Sequence, residues 1–199
     1  MRLGVFGGTF NPIHLGHLLL AETAREQLQL DRVLFIPTFQ PPHKRAQGLL
    51  PGDVRMAMIE LAIRDQPAFV ASDIELQRKG TSYSIETVKT LHTQLPMAKL
   101  FLLVGEDMLT VKWAAWNEVK TLCTIVGARR TGTTAMRRET GIKWLDMPRV
   151  EVASSEIRQR IKSGRSIRYL VPHAVIRYIA EHRLYGTPPT PETAHGHLP

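Results

Sequence analysis

Short apolar runs alternate along the chain with longer segments in which apolar residues recur every three or four positions. The apolar runs predict buried strands at Leu3–Phe6, Val33–Ile36, Phe69–Ala71, Leu100–Val104, Thr124–Gly127 and Lys143–Met147. The segments of helical period predict helices at Leu15–Leu28, Pro51–Ile63, Ser84–Leu95, Trp113–Leu122, Ser154–Ser163 and Pro172–His182. Strands that alternate with helices of this length indicate βαβ units. We therefore expect an α/β fold built on an open parallel sheet, with ligand sites beyond the carboxyl ends of its strands.

Helix termini and chain length refine this expectation. Ser84, and Ser154 or Ser155, are of the residue type that caps helix N-termini, and Pro172 suits the first position of the last helix. A chain of 199 residues favours one domain, which we place at residues 1–185. Residues 186–199 contain four prolines and few apolar side chains, which predicts a disordered tail. No segment approaches the roughly 20 apolar residues of a membrane span, so we expect a cytoplasmic protein.

Composition and charge narrow the possible partners. The 43% of hydrophobic residues is typical of a globular protein, and the single cysteine, Cys123, excludes an internal disulfide framework. The formal net charge of +8 suggests an anionic partner. Residues 127–168 hold 11 basic and 4 acidic residues and thus carry most of this excess. A nucleic-acid-binding protein and a protein that binds a phosphate-bearing small molecule both fit that distribution.

The segment from Gly7 to His17 follows the first strand and opens the first helix. Gly7 and Gly8 allow a ligand to approach the backbone closely, and the helix N-terminus offers N–H groups and a partial positive charge to a phosphate. His14 and His17 are three residues apart, so they share one face of the helix and could both donate hydrogen bonds to phosphate oxygens. The alternative is a Gly-Pro loop with one capping and one packed histidine.

A second candidate anion site begins at Ser154. Serine side chains, a helix N-terminus and the guanidinium of Arg158 converge in the first turn of a predicted helix. Plain helix capping explains this segment equally well when it is taken alone.

His14-Leu15-Gly16-His17 resembles the H-x-G-H signature of a nucleotidyltransferase superfamily, and Ser155, Ile157 and Arg158 are similar to its second phosphate-binding motif. Three further segments resemble the bacterial nicotinate-nucleotide adenylyltransferases within it: Pro41-Pro42-His43-Lys44, Gly80-Thr81-Ser82-Tyr83-Ser84 and Gly105-Glu106-Asp107. The resemblance covers about residues 1–185. It implies a Rossmann-like fold with helices on both faces of the sheet, and transfer of an adenylyl group from ATP to nicotinate mononucleotide with release of pyrophosphate. Nicotinamide mononucleotide and phosphopantetheine are the alternative acceptors.

The resemblance also implies roles for individual residues. The catalytic residues would be His14, His17 and Arg158. The ATP-binding residues would be Gly7, Gly8, Thr9, Phe10, Gly16, Ser154, Ser155 and Ile157, and the residues that bind nicotinate mononucleotide would be Lys44, Thr81, Tyr83, Gly105, Asp107 and Trp113. Mg²⁺ would enter with ATP and be held mainly by phosphates and water rather than by protein side chains.

Two features depart from the family pattern. The spacing from Asp107 to Trp113 is about two residues shorter than the resemblance implies, so that Trp113 and Trp116 both remain candidates for the pyridine ring. Arg129-Arg130 is followed by Thr-Gly, and residues 131–141 have no assigned role.

Overall fold

The computed structural model describes residues 1–42, 48–105, 113–130, 141–148 and 150–186, without the side chains of residues 129 and 130. This part of the chain forms a six-stranded sheet in the order β3-β2-β1-β4-β5-β6, and every neighbouring pair is parallel. The strands are β1 (Arg2–Gly8), β2 (Arg32–Pro37), β3 (Phe69–Ala71), β4 (Lys99–Val104), β5 (Thr124–Arg130) and β6 (Ile142–Met147). The predicted open parallel sheet is confirmed.

Seven α-helices connect or follow the strands in the described residues. They are α1 (Leu15–Gln27), α2 (Gly52–Ile63), α3 (Ile74–Arg78), α4 (Ser84–Gln94), α5 (Trp116–Leu122), α6 (Ser154–Lys162) and α7 (His173–Glu181), followed by a 3-10 turn at Leu184–Gly186. The short helix α3 was not predicted, and α5 begins at Trp116 rather than at Trp113.

The predicted serine caps are wrong by one position. Tyr83 and Ala153 occupy the N-cap positions of α4 and α6, so Ser84 and Ser154 are the first helical residues. Pro172 is likewise the N-cap of α7 rather than its first residue. In α6 the Ser154 hydroxyl donates to a carbonyl outside the helix, a partner that sequence alone does not reveal.

Helices cover both faces of the sheet. Alternate residues of β4 face opposite sides: Phe101 and Leu103 belong to one core cluster, whereas Leu100, Leu102 and Val104 belong to the other. Helices α1, α2, α6 and α7 contribute to the first cluster, and α4 and α5 contribute to the second. Burial of both faces explains why the central strands β1, β2 and β4 are continuous apolar runs, whereas the edge strand β6 mixes exposed and less exposed positions.

The strand order changes direction at β1, which pairs with β2 on one side and β4 on the other. In this register Gly8 lies opposite Pro37 of β2, and Val5 lies opposite Leu102 of β4. The carboxyl ends of these three strands are therefore level, and the crevice beyond such a switch point is where open α/β sheets bind ligands. None of the described helices is long and apolar enough to cross a membrane.

Candidate active site

Two stacked histidine rings lie at the junction of β1 and α1. His14 is the N-cap of α1 and His17 is in its first turn, and their ring centroids are 3.6 Å apart with 22° between the planes. The backbone N–H of His14 donates to Nδ1 of His17 at 3.2 Å. Because that nitrogen accepts, the proton of the neutral His17 ring is on Nε2, which is then a hydrogen-bond donor. The loop thus fixes both the position and the tautomer of His17.

Small and aromatic residues hold this pair in place. A Cβ atom on Gly16 would lie 3.1 Å from Nδ1 of His14, so a larger residue here would push the ring aside by a few tenths of an ångström. Phe10 is fully buried at φ 45°, and its ring meets His17 edge-on at 5.0 Å. Gly8 lies against the Phe10 ring, where a Cβ would approach to 3.1 Å. Gly8, Phe10 and Gly16 therefore support the histidines by shape.

Burial keeps both histidines uncharged near neutral pH. Desolvation lowers the pKa of His14 to about 4. Desolvation also lowers the pKa of His17 well below its usual value, and the charge of a protonated His14 would lower it further. Nδ1 of His14 is buried without a hydrogen-bond partner among the described residues. A bound polyphosphate would raise both pKa values, since an adjacent negative charge favours the protonated ring.

The start of α6 is bonded to the loop between β1 and α1. The Arg158 guanidinium donates to the carbonyl oxygen of Asn11 at 2.8 Å, and the Ser154 hydroxyl donates to that of Pro12 at 2.9 Å. These bonds join segments more than 140 residues apart in the chain. Arg158 has five N–H donors, so this bond leaves most of its fork available to a ligand. The tertiary structure therefore brings the two predicted phosphate motifs together.

The other predicted ATP-site residues occupy different environments. Ser155 is exposed in the first turn of α6, whereas Ile157 is fully buried, and its side chain packs in the core. Gly7 is exposed at the end of β1, with open space where a Cβ atom would lie, and Thr9 is half-buried. Gly7 and Thr9 thus border the crevice, while Ile157 contributes by fixing the helix.

The residues that were predicted to bind nicotinate mononucleotide lie near a neighbouring edge of the crevice. Thr81 and Tyr83 are exposed immediately before α4, where a helix N-terminus offers unpaired N–H groups. The Ser82 N–H donates to the Gln40 carbonyl, and the Phe39 N–H donates to the Ser82 hydroxyl, so this segment is bonded to the chain that follows β2. Gly105 directly follows β4 and is half-buried.

Trp113 and Trp116 are both half-buried, with ring centroids 5.2 Å apart, and both pack against the second core cluster. This arrangement does not separate them as candidates for the pyridine ring. Lys44 and Asp107 lie outside the described residues.

The sequence analysis missed a buried arginine in α2. Arg55 is only 1% exposed, and its guanidinium donates to the carbonyls of Thr9, Thr38 and Leu50 at 2.7–2.9 Å. It therefore connects the loop after β1 to the segments on either side of residues 43–47. The helical spacing of α2 could have indicated its burial, because Arg55 lies on the same buried face as Met58 and Ile59.

The basic residues that follow Arg158 are bonded near their own helix. Arg160 donates to the Ser166 carbonyl and lies 4.0 Å from Glu156, and Arg165 donates to the Ser163 hydroxyl. Five other basic residues of the stretch lie outside the described side chains: Arg129, Arg130, Arg137, Arg138 and Arg149.

This arrangement can bind a polyphosphate and stabilise negative charge. It combines neutral imidazole donors, a guanidinium, hydroxyls and two helix N-termini at the carboxyl edge of a parallel sheet. Among the described residues, no three His, Cys, Asp or Glu side chains are grouped to hold a metal ion.

Comparison with known families identifies relatives that match most of the chain. Residues 5–160 match the family model described as cytidylyltransferase-like. The chain is 42% identical over 186 residues to a protein of Lactiplantibacillus plantarum, covering 92% of this chain and 88% of that one. It is 41% identical to a protein of Thermus thermophilus, covering 93% of this chain and 100% of that one. Both relatives carry the name "probable nicotinate-nucleotide adenylyltransferase".

Solved structures share the fold. The nicotinic acid mononucleotide adenylyltransferase of Plasmodium falciparum, solved in complex with NaAD, superposes with a TM-score of 0.79 at 15% identity, covering 94% of this chain and 98% of that one. A Vibrio parahaemolyticus structure described as a putative nicotinate-nucleotide adenylyltransferase superposes with a TM-score of 0.70 at 20% identity, covering 92% and 94%. At these identities the likeness supports the Rossmann-like, nucleotidyltransferase-type architecture.

Proposed function

Because the chain belongs to the nicotinate-nucleotide adenylyltransferases, within the cytidylyltransferase-like family, we propose that the junction of β1, α1 and α6 is where this nucleotidyltransferase acts. The enzyme transfers the adenylyl group of ATP to nicotinate mononucleotide in the biosynthesis of NAD. The products are nicotinate adenine dinucleotide and pyrophosphate. The single observation that carries the location is the stacked pair of His14 and His17, to which Arg158 is connected through the carbonyl of Asn11.

The chemistry requires positioning and charge stabilisation. An oxygen of the 5′-phosphate of the mononucleotide attacks the α-phosphorus of ATP. A new P–O bond forms there while the bond from the α-phosphorus to the bridging oxygen breaks, and pyrophosphate leaves with that electron pair. The attacking oxygen is already anionic, so neither a general base nor a covalent enzyme intermediate is required.

The histidines act as donors to the phosphate oxygens. Nε2–H of His17 is preformed by the bond at Nδ1, so no reorientation is needed when negative charge builds at the α-phosphate. Both rings are neutral before ATP binds. The empty site therefore holds no imidazolium charge that would have to be screened, and the bound anion itself raises the pKa values of both rings.

The second arm of the site neutralises the leaving pyrophosphate. Arg158 has free donors beyond its bond to Asn11, Ser155 is exposed in the same turn, and the N-terminus of α6 adds a partial positive charge. We assign the β- and γ-phosphates to this arm. Lys44, which the resemblance places among the residues for nicotinate mononucleotide, is proposed to act as a cation toward these phosphates as well. Asp107 would hold ribose hydroxyls.

The acceptor end is assigned to the segment before α4. Thr81 and Tyr83 border backbone N–H groups at a helix N-terminus, which favour a carboxylate over a carboxamide because the anion accepts from both donors. This favours nicotinate mononucleotide over nicotinamide mononucleotide. One of the two tryptophans, for which Trp113 is our choice, would stack on the pyridine ring.

The metal requirement follows from the substrate. Family members that act on ATP generally use a divalent metal ion, and the described residues offer no carboxylate or histidine cage. We therefore assign Mg²⁺ to the ATP phosphates and water, as part of the substrate. Because ATP and pyridine nucleotides are metabolites of the cytoplasm, the proposal includes a cytoplasmic location.

The test is pyrophosphate release from purified protein with MgATP and each of three acceptors. Nicotinate mononucleotide should be used with a higher kcat/KM than nicotinamide mononucleotide, and phosphopantetheine should not be used. No turnover with nicotinate mononucleotide, or equal turnover with phosphopantetheine, would refute the assignment.

Two substitutions of His17 test its role. His17→Asn keeps an acceptor for the His14 N–H but loses the Nε2 donor, so it should lower kcat by about 10²–10³-fold, as the loss of one oxyanion donor does elsewhere. His17→Gln, which can place an amide N–H near the former Nε2, should recover part of that loss. His92→Ala, on an exposed face of α4, is the matched control and should leave kcat unchanged. A change confined to KM would contradict the role.

A further inference from the structure

The C-terminal 3-10 turn places a tyrosine beside the phosphate site. The Tyr185 hydroxyl donates to Oδ1 of Asn11 at 2.7 Å, across 174 positions of sequence. Tyr185 lies beyond residues 5–160, the part that matches the family model. Both Arg158 and Arg55 are close enough to affect its pKa, which burial raises. Resting on the function proposed above, we propose that Tyr185 is a positioning residue that orients Arg158 through Asn11.

The orientation of the Asn11 amide is fixed by its partners. Its Nδ2 donates to the Gly48 carbonyl at 2.9 Å, and its Oδ1 accepts from the Leu50 N–H at 3.4 Å. A carbonyl can only accept and an N–H can only donate, so the two ends of the amide cannot be exchanged. The remaining partner of Oδ1, the Tyr185 hydroxyl, must therefore donate.

The side chain of Asn11 in turn fixes its own backbone. Asn11 is only 4% exposed, and its carbonyl oxygen is the acceptor for Arg158 at 2.8 Å. The next carbonyl, that of Pro12, accepts from Ser154. The three bonds of the Asn11 side chain therefore anchor the backbone that carries both acceptors, and loss of the Tyr185 bond would let that backbone shift under the start of α6. Tyr185 thus sets the position from which the Arg158 fork reaches a phosphate.

The backbone around Tyr185 fits a placement that the fold enforces. Arg183 and Tyr185 have φ values of 48° and 60°, in the left-handed region that side chains other than glycine avoid. The turn packs against the first core cluster through Leu184 and Tyr185. This packing and the bond to Asn11 together hold the phenol of Tyr185 against the loop after β1.

The experiment is a double-mutant cycle on the affinity for ATP, measured by calorimetry, together with pyrophosphate release. Tyr185→Phe removes only the hydroxyl and should weaken ATP binding about 5-fold, the effect of one hydrogen bond. In an Arg158→Ala background the same change should have less than about a 2-fold effect, since no guanidinium is left to position. Tyr178→Phe is the matched control, because its ring stacks on His182 in the turn that ends α7, and it should change neither affinity nor kcat.

A second cycle with Asn11→Ala tests the relay. In the Asn11→Ala background, Tyr185→Phe should lower the affinity for ATP by less than about 2-fold. This cycle leaves Arg158 itself unchanged. An equal loss of ATP affinity in the wild-type and variant backgrounds, or no loss in the wild type, would overturn the proposal. If the wild type releases pyrophosphate but the effects of the paired substitutions are additive, the relay is rejected and the proposed function stands. If the substitutions are coupled but the wild type shows no turnover, the proposed function is rejected and the relay stands. A protein that binds no ATP would reject both.

Discussion

The glycine between the two histidines offers a test that separates catalytic geometry from stability. Gly16 is the second residue of α1, and a Cβ there would lie 3.1 Å from Nδ1 and 3.2 Å from Cε1 of His14. His14 is 7% exposed and is stacked on His17 at 3.6 Å, so its ring can neither leave the site nor move toward its neighbour. In Gly16→Ala the ring must therefore slide by a few tenths of an ångström.

The two consequences of this change differ in size. Alanine favours a helix by up to about 1 kcal/mol relative to glycine, which offsets part of an overpacking strain of about 1–3 kcal/mol. The net loss of stability should not exceed about 2 kcal/mol, or about 8 °C in Tm for a chain of this size. Displacing a catalytic group by about 1 Å can cost on the order of 10²-fold in rate, so a smaller shift should lower kcat by about 10-fold.

The assay is steady-state pyrophosphate release, combined with thermal unfolding of the same preparations. The control is Gly16→Ala in a His14→Ala background, where the ring that the methyl group meets is absent. Relative to the His14→Ala variant, the added alanine at position 16 should leave kcat unchanged and raise Tm slightly. A wild-type kcat in the single variant, or a 10-fold loss that persists without the His14 ring, would refute the steric argument.

Three further predictions concern ionisation and burial. The pKa of His14 is about 4 in the folded protein, so between pH 6.5 and pH 4 the unfolded chain binds more protons than the folded one. The free energy of unfolding should therefore fall by about 3 kcal/mol as the pH falls through that range. In His14→Asn, urea unfolding should depend less steeply on pH, and equal slopes in the two proteins would contradict this prediction. Arg55→Met should cost about 3–5 kcal/mol in urea unfolding, because three partly buried carbonyls lose a charged donor. A loss below about 1 kcal/mol would show that these carbonyls find other partners. Burial raises the pKa of the Cys123 thiol to about 12. At pH 8 an aromatic disulfide reagent should therefore react with this thiol at least about 10³-fold faster in urea than in the native protein. Rapid reaction with the native protein would show that Cys123 is not buried.

Much of the fold could be predicted because the central strands are buried on both faces and the flanking segments have a clear helical period. Phe69–Ala71 forms β3 with the predicted bounds, and Leu15 begins α1 as predicted. Helix α3 was missed because five residues with a buried glutamate, Glu75, carry no helical periodicity. The serine caps were placed one position too late because residue type suggests a cap, whereas the cap itself depends on which residue has extended backbone angles.

The candidate site could be predicted only in part. His14, Gly16 and His17 are neighbours in sequence, and an N-cap residue lies next to the third residue of the helix that it starts, so the two rings could be expected to meet. Arg55 and Tyr185 were missed, since their partners are backbone carbonyls and an amide from distant segments. A backbone carbonyl has no signature in the sequence.

Local periodicity and residue chemistry were therefore enough to predict the α/β class, the histidine pair at the start of α1 and the kinds of group available for phosphate. The contact between the Arg158 arm and the histidine loop, through the carbonyls of Asn11 and Pro12, depends on how distant segments pack and could not be predicted in that way. The neutral state of both histidines likewise follows from packing, because burial lowers the pKa of each ring and burial is produced by the fold as a whole.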